Sequence, residues 1–173
     1  MRLLLRYNRA YAIACEVAVP VPDDSQLMAQ ARSLGALMQS ARERLVTAES
    51  CSGGWIAKLM TDVAGSSDWF DCGMVVYSYE AKQALLGVRA QTLEQYGAVS
   101  RETALEMVSG ALTRSGASLA VAVTGIAGPG GGSEDRPVGT VCFGLALRES
   151  GEVTSVRVQF NPRANREKIC RMA

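Results

Sequence analysis

The 173-residue sequence contains no histidine. That excludes a Ser-His-Asp triad, a Cys-His pair and any histidine-ligated metal, so a proton acceptor must come from Lys, Asp, Glu, Tyr or Cys. Excess charge is also missing. The 18 basic and 17 acidic residues leave a net +1, which gives no electrostatic footprint for nucleic acid or a membrane surface. Cys15, Cys51, Cys72, Cys142 and Cys170 are odd in number, scattered, and form no C-x-x-C. They supply neither a disulfide framework nor a zinc site, and they point to a reducing, cytoplasmic setting. No clustered acidic or thiol ligands are present, so no metal is expected. No apolar run is long enough to span a membrane. Near the start, Arg2, Arg6 and Arg9 accompany apolar runs that are short and broken by Asn8 and Glu16, so a secretion signal is not expected.

What is present suits one domain large enough for a three-layer core. Residues 1–24 read as an N-terminal extension ended by Pro20, Pro22 and Asp23-Asp24. It is either loosely attached or docked as a strand over residues 11–19. The domain proper spans residues 25–173. Asp24 or Ser25 caps a first helix, whose apolar positions Leu27, Ala31, Leu34, Leu37, Met38 and Ala41 share one face through about Arg44. Buried strands are predicted at 45–48, 72–79 and 118–124. Helices are predicted at about 52–61, 80–86, 90–96 and from Ser100 to Arg114, with small residues in a loop at 64–67. The continuous apolar strands suit a sheet covered on both faces. A glycine-rich loop, Gly125 to Gly132, leads into a hairpin of strands 138–147 and 153–160 rather than a helix. The sheet is therefore mixed, and the fold class is α/β. A last helix begins at Arg163 or Asn165.

The stretch Thr47-Ala48-Glu49-Ser50-Cys51-Ser52-Gly53-Gly54 joins a buried strand to an amphipathic segment through a small-residue turn. Three hydroxyl or thiol groups crowd this turn, and its glycines let a bound group approach the backbone. A helix starting here would offer free N–H groups to an anion or a developing oxyanion. Ser50 or Ser52 could equally be a helix cap. Cys51 is either a nucleophile or a small buried side chain, and Glu49 is read as organising the turn. Two further strand ends carry polar groups: one strand with the helix after it gives Tyr77, Tyr79 and Lys82, and Thr124 ends another. A serine beside a lysine is a histidine-free way to activate a hydroxyl, but spacing alone leaves open whether these residues meet.

The Thr47–Gly54 string resembles the signature of the CinA C-terminal-domain family, which includes stand-alone nicotinamide mononucleotide deamidases. Further matching strings follow in order: Asp62–Ser67, Val76–Lys82, Leu86–Val88, Tyr96–Ser100, Thr124–Gly131 and Arg136–Thr140. The resemblance runs from about Asp24 onward. It implies a three-layer α/β/α sandwich with a mixed sheet. It also implies hydrolysis of the carboxamide of nicotinamide mononucleotide to nicotinate mononucleotide and ammonia, without metal or organic cofactor. It gives Ser50 as nucleophile, Lys82 as its base, Tyr77 beside them and Thr124 as a polar site residue, with Ser52 as the reserve nucleophile. N–H groups near Cys51, Ser52 and Gly53 would hold the oxyanion. The loop from Gly125 and an arginine, Arg166 or Arg163, would bind the substrate phosphate. The expected partners are the nucleotide substrate and further copies of the chain, as a dimer or higher homo-oligomer.

Three departures from the family pattern stand out. Tyr79 replaces a common Asn, so its phenol either narrows the pocket or points away. The Phe160–Arg166 segment is longer than usual. The last helix is expected to be shortened by the end at Ala173. They keep open an alternative, a nucleotide-binding or regulatory module of impaired turnover.

Overall fold

Residues 20–173 are described by the structure, a computed structural model. The expected extension at 1–24 and its strand at 11–19 lie largely outside that range. The chain order is α1 (Asp24–Ala41), β1 (Leu45–Glu49), α2 (Trp55–Thr61), a short 3-10 turn (Ser66–Asp68), β2 (Phe70–Val75), α3 (Tyr79–Leu86), α4 (Ala90–Tyr96), α5 (Arg101–Thr113), β3 (Leu119–Gly125), β4 (Thr140–Leu147), β5 (Val153–Gln159) and α6 (Arg166–Met172).

Asp23, rather than Asp24 or Ser25, caps α1. Its carboxylate accepts the Gln26 N–H at 2.8 Å, and the Gln26 side chain accepts the Asp23 N–H at 2.9 Å, so two orphan donors are satisfied reciprocally. The helix stops at Ala41, short of Arg44, because Arg42 takes the left-handed conformation that turns the chain (φ 57°). The strand expected at 72–79 runs instead from Phe70 to Val75. Ser78 ends the extended stretch by capping α3, its hydroxyl accepting the Ala81 N–H at 3.0 Å. Tyr77 therefore lies beyond the strand, and Tyr79 begins the helix.

The five strands lie in the order β2-β1-β3-β4-β5, with β2, β1 and β3 parallel and β4 and β5 antiparallel. All five residues of β1 are buried, since neighbours pair both its edges and helices cover both faces. Strand alternation splits the core in two. Val46, Ala48, Ala120, Ala122 and Ala146 face α3, α4 and α5. On the other side, Leu45, Phe70, Leu119 and Val121 face α1 and α2, while Val123 and Val141 face α6 through Phe160 and Ile169. Helices α1 and α6 are tied at their ends by Arg171, which meets Asp24 at 2.5 Å and lies over the Trp55 ring at 4.9 Å. The three-layer α/β/α sandwich with a mixed sheet expected from the motifs is the observed fold.

The small residues on the α5 side of the sheet have a positional consequence. A Cβ on Gly144 would sit 2.5 Å from the Ala104 carbonyl oxygen, and one on Gly110 would sit 1.9 Å from that of Leu86. Helix α5 thus rests almost backbone to backbone on β4 and on the end of α3. This fixes how deeply α3, and the lysine it carries, is seated.

Gly110→Ala should therefore lower the stability to urea by roughly 1–3 kcal/mol, an overpacking cost, although alanine is the better helix former. An unchanged urea midpoint would mean that α3 and α5 part without cost.

Candidate active site

The turn after β1 is built around a buried carboxylate. Glu49 accepts hydrogen bonds from the Ile56 and Ala57 N–H groups at 3.0 and 2.7 Å, and from the Ser52 and Thr47 hydroxyls at 2.7 and 3.0 Å. An anion thus occupies the N-terminus of α2 from inside, where the helix dipole favours negative charge. The expectation that the helix begins near Ser52 and leaves its N–H groups open to a ligand is corrected: α2 begins at Trp55, and Glu49 takes two of those donors. Neither Ser50 nor Ser52 caps it. Gly53 (φ 66°) and Gly54 (φ 95°) make the turn. Gly53 is exposed, and its N–H is used within the turn by the Ser50 carbonyl at 3.2 Å. The N–H groups of Cys51 and Ser52 have no backbone acceptor among the described residues.

Ser50 is held at the carboxyl end of the parallel strands, where sites form in open α/β sheets. Its N–H donates to the Val123 carbonyl at 3.0 Å, and the Val76 N–H donates to the Glu49 carbonyl at 2.8 Å. The Ser50 hydroxyl meets Lys82 Nζ at 2.9 Å. Lys82 is fully buried, and Nζ donates to the carbonyls of Val76 and Tyr77 at 2.8 and 3.0 Å. No carboxylate forms an ion pair with it among the described residues. Burial without a counter-charge disfavours the ammonium and lowers the Lys82 pKa to about 8. With the proton gone, two N–H bonds remain for the two carbonyls, and the lone pair faces the serine hydroxyl.

The other candidates fall into place around this pair. Ser52 gives its hydroxyl to Glu49 and does not reach Lys82. Cys51 is buried, and its thiol is pushed up to about 12, chiefly by that burial. It lines the cavity, but burial disfavours the thiolate that a nucleophile needs. Tyr77 is 65% exposed rather than core, and its phenolic oxygen accepts from Arg166 Nη2 at 3.2 Å. Arg166 opens α6 behind the Asn165 cap and also donates through Nη1 to the Gly128 carbonyl at 2.9 Å. Arg163 lies in the preceding turn and does not line the pocket. Thr124 lines it, but its hydroxyl donates to the Ala98 carbonyl at 2.8 Å. Tyr79 does not line the pocket; its phenolic oxygen accepts the N–H of Ala98, which does, at 3.3 Å.

These groups enclose a cavity of about 260 Å³. Ser50, Lys82, Tyr77 and Arg166 are its polar lining, together with Gly125 and the following loop, which Arg166 meets at the Gly128 carbonyl. Ala127, Gly128, Gly130 and Gly131 contribute N–H groups without an acceptor among the described residues. A larger depression of about 480 Å³, lined by Lys58, Ser66, Ser67, Asp71, Cys72 and Gly73, lies elsewhere; there burial and the Asp71 carboxylate raise the Cys72 thiol above its ordinary value. Among the described residues no group of three or more Cys, Asp or Glu is placed to hold a metal. Sequence reasoning missed Ala98 and Val99, which form one wall. Their one signal was membership of the Tyr96–Ser100 string, since neither carries chemistry of its own.

A three-layer α/β domain with a polar cavity at the carboxyl ends of its parallel strands is the class that fold and site define. A sequence model of the CinA C-terminal domain matches residues 27–173, and the chain belongs to that family. It is 50% identical over 131 residues to the nicotinamide-nucleotide amidohydrolase PncC of Escherichia coli strain K12, covering 76% of this chain and 79% of that protein. It is 53% identical over 128 residues to PncC of Enterobacter agglomerans, covering 74% and 77%. Among solved structures, the competence/damage inducible protein CihA from Agrobacterium tumefaciens superposes with a TM-score of 0.82 at 44% identity, covering 89% of this chain and 91% of that one.

The thiols give a check on the site that does not depend on turnover. At pH 8, Cys51 and Cys142, both buried and raised to about 12 and 11, should resist a disulfide reagent in the native protein and react on unfolding. Peptide mapping that finds Cys51 labelled as fast as the half-buried Cys72 would contradict this packing.

Proposed function

We propose that the chain hydrolyses the carboxamide of nicotinamide mononucleotide, releasing ammonia and nicotinate mononucleotide, with Ser50 as nucleophile and Lys82 as its base. The observation that carries this reading is the 2.9 Å contact between a buried amine and a serine hydroxyl inside the cavity. The relatives named as nicotinamide-nucleotide amidohydrolases support the substrate. Ser50 Oγ attacks the carboxamide carbon as its proton passes to neutral Lys82. The oxyanion is met by the N–H groups of Cys51 and Ser52. Lys82 then returns the proton to the departing nitrogen, which leaves as ammonia. Water, deprotonated by the same amine, cleaves the acyl-serine and restores both groups.

At the far end, Arg166 and the unoccupied N–H groups after Gly125 take the phosphate. A guanidinium bonds two phosphate oxygens at once, and successive backbone N–H groups form an anion-binding concavity. Tyr77 holds Arg166 toward the pocket. The same reading places the enzyme in the cytoplasm, and no helix among the described residues is long and apolar enough to cross a membrane. It also takes the chain to self-associate. Val153 and Val156 on the outer strand β5 are open to solvent and offer an apolar edge to a second copy.

Ser50→Ala should abolish ammonia release and leave substrate binding measurable, whereas Ser52→Ala should keep turnover at some cost in stability. The reverse pattern would transfer the role to Ser52, and a wild-type chain that binds the mononucleotide without releasing ammonia would favour the binding-module alternative. Because the lysine must be neutral, kcat/KM should rise with pH and level off above about 8. The sign for stability agrees. An unfolded lysine keeps its proton up to its ordinary value of 10.5, while the buried one has lost it above about 8, so the fold gains stability as pH rises between them. A flat rate profile from pH 6 to 9 would remove Lys82 as the base.

Arg166→Ala should raise KM for the mononucleotide by roughly 10- to 150-fold, the worth of a charge-assisted contact. It should do little to the phosphate-free riboside, which lacks the group it binds. Arg163→Ala should leave both substrates near wild type. Equal losses on both substrates for Arg166→Ala would place that side chain elsewhere than on the phosphate.

A further inference from the structure

One wall of the cavity is a stretch of backbone, and its anchoring is unusually complete for a segment between two helices. The Gly97 carbonyl accepts two hydroxyls, from Ser100 at 3.0 Å and Thr103 at 2.7 Å. The next residue is held on both of its peptide groups. The Ala98 N–H donates to the Tyr79 phenol at 3.3 Å, and its carbonyl accepts from Thr124 at 2.8 Å. Ala98 and Val99 line the same pocket as Ser50 and Lys82.

The two partners of Ala98 belong to the two elements that carry the chemistry. Thr124 ends β3, whose Val123 carbonyl accepts the Ser50 N–H. Tyr79 opens α3 and lies three residues before Lys82, on the same side of the helix. Ala98 is thus the point at which the position of the wall is referred to the nucleophile's strand and to the base's helix.

We infer that Tyr79 is a positioning residue for substrate: its phenol holds the Ala98–Val99 wall at the distance from Ser50 and Lys82 that the flat nicotinamide ring requires. Tyr79 does not line the cavity, so it acts through Ala98 and not on the substrate. The inference rests on reading this cavity as the substrate site. It assigns a role to a phenol that is 45% exposed and would otherwise be an ordinary surface tyrosine.

The fold does not depend on the hydroxyl, because water can replace it at the Ala98 N–H. Tyr79→Phe should therefore keep the wild-type melting temperature. The wall, however, loses one of its two anchors, and binding should weaken while chemistry at Ser50 proceeds once substrate is seated. KM should rise roughly 3- to 10-fold, the worth of one neutral hydrogen bond, with kcat within about twofold and an unmoved acid limb in the pH profile. Titration calorimetry with nicotinamide mononucleotide on Ser50→Ala, with and without Tyr79→Phe, should show the same loss without turnover. Thr124→Val removes the other anchor, and the effects of the two changes on kcat/KM should be non-additive, since both act on one residue, Ala98.

Wild-type KM and affinity in Tyr79→Phe, or strictly additive effects in the double variant, would overturn the inference while leaving the Ser50–Lys82 reading intact. A fall in kcat with a shifted acid limb would also overturn it, by placing the phenol in the chemistry. Turnover that survives in Ser50→Ala is a separate failure, of the active-site reading itself.

Discussion

The Glu49 carboxylate is the fixed point of this molecule. A fully buried charge is tolerable only when its oxygens are satisfied, and Glu49 meets that condition with backbone and hydroxyl donors rather than with a cation. Two of its four donors come from the first turn of α2, so the helix cannot form in its observed place without the carboxylate arriving between its N–H groups. The turn in between, with Ser50 at its start, has no freedom left. The serine turn is thus built on a buried carboxylate outside the cavity, whose lining includes no Asp or Glu among the described residues.

Lys82 is the complementary case. It too is buried without an ion pair, but its amine is held by only two carbonyls and one hydroxyl. The protein seats it there by bringing α5 onto β4 and α3 at backbone distance, through Gly144 and Gly110. The contrast between the two groups is one of hydrogen bonding. One buried charge is saturated with donors and structural. The other is under-solvated, and its proton is easily lost. Perturbed ionisation of this kind is what a general base needs at neutral pH.

Much of this was legible in the chain itself. Element order, the mixed sheet and the strand-turn-helix around Ser50 follow from apolar runs, periodicity and turn residues, and the absence of histidine narrowed the base to a short set. Other features were not legible, for physical reasons. The cap at Asp23 and the early stop at Arg42 depend on backbone angles that several neighbouring residues could adopt. Tyr77 read as a strand residue because alternation with Val76 continues past the last paired position, and only Ser78 capping α3 ends it. Between Arg163 and Arg166, composition offers no distinction; the choice depends on where Asn165 caps the last helix. Ala98 and Val99 contribute position alone, and a side-chain-based reading passes over them.

The last helix reaches back across nearly the whole chain. Arg171 meets Asp24 across 147 positions, Cys170 donates to the Cys51 carbonyl across 119, and Arg166 reaches Tyr77 across 89. Contacts of such long range form late, because the loops they close are costly before the rest is in place. The serine turn and the lysine helix are held by contacts that reach no further than β4, whereas the wall of the cavity that Arg166 supplies waits for α6. A growing chain would thus hold an activated serine before it held the group we propose grips the nucleotide.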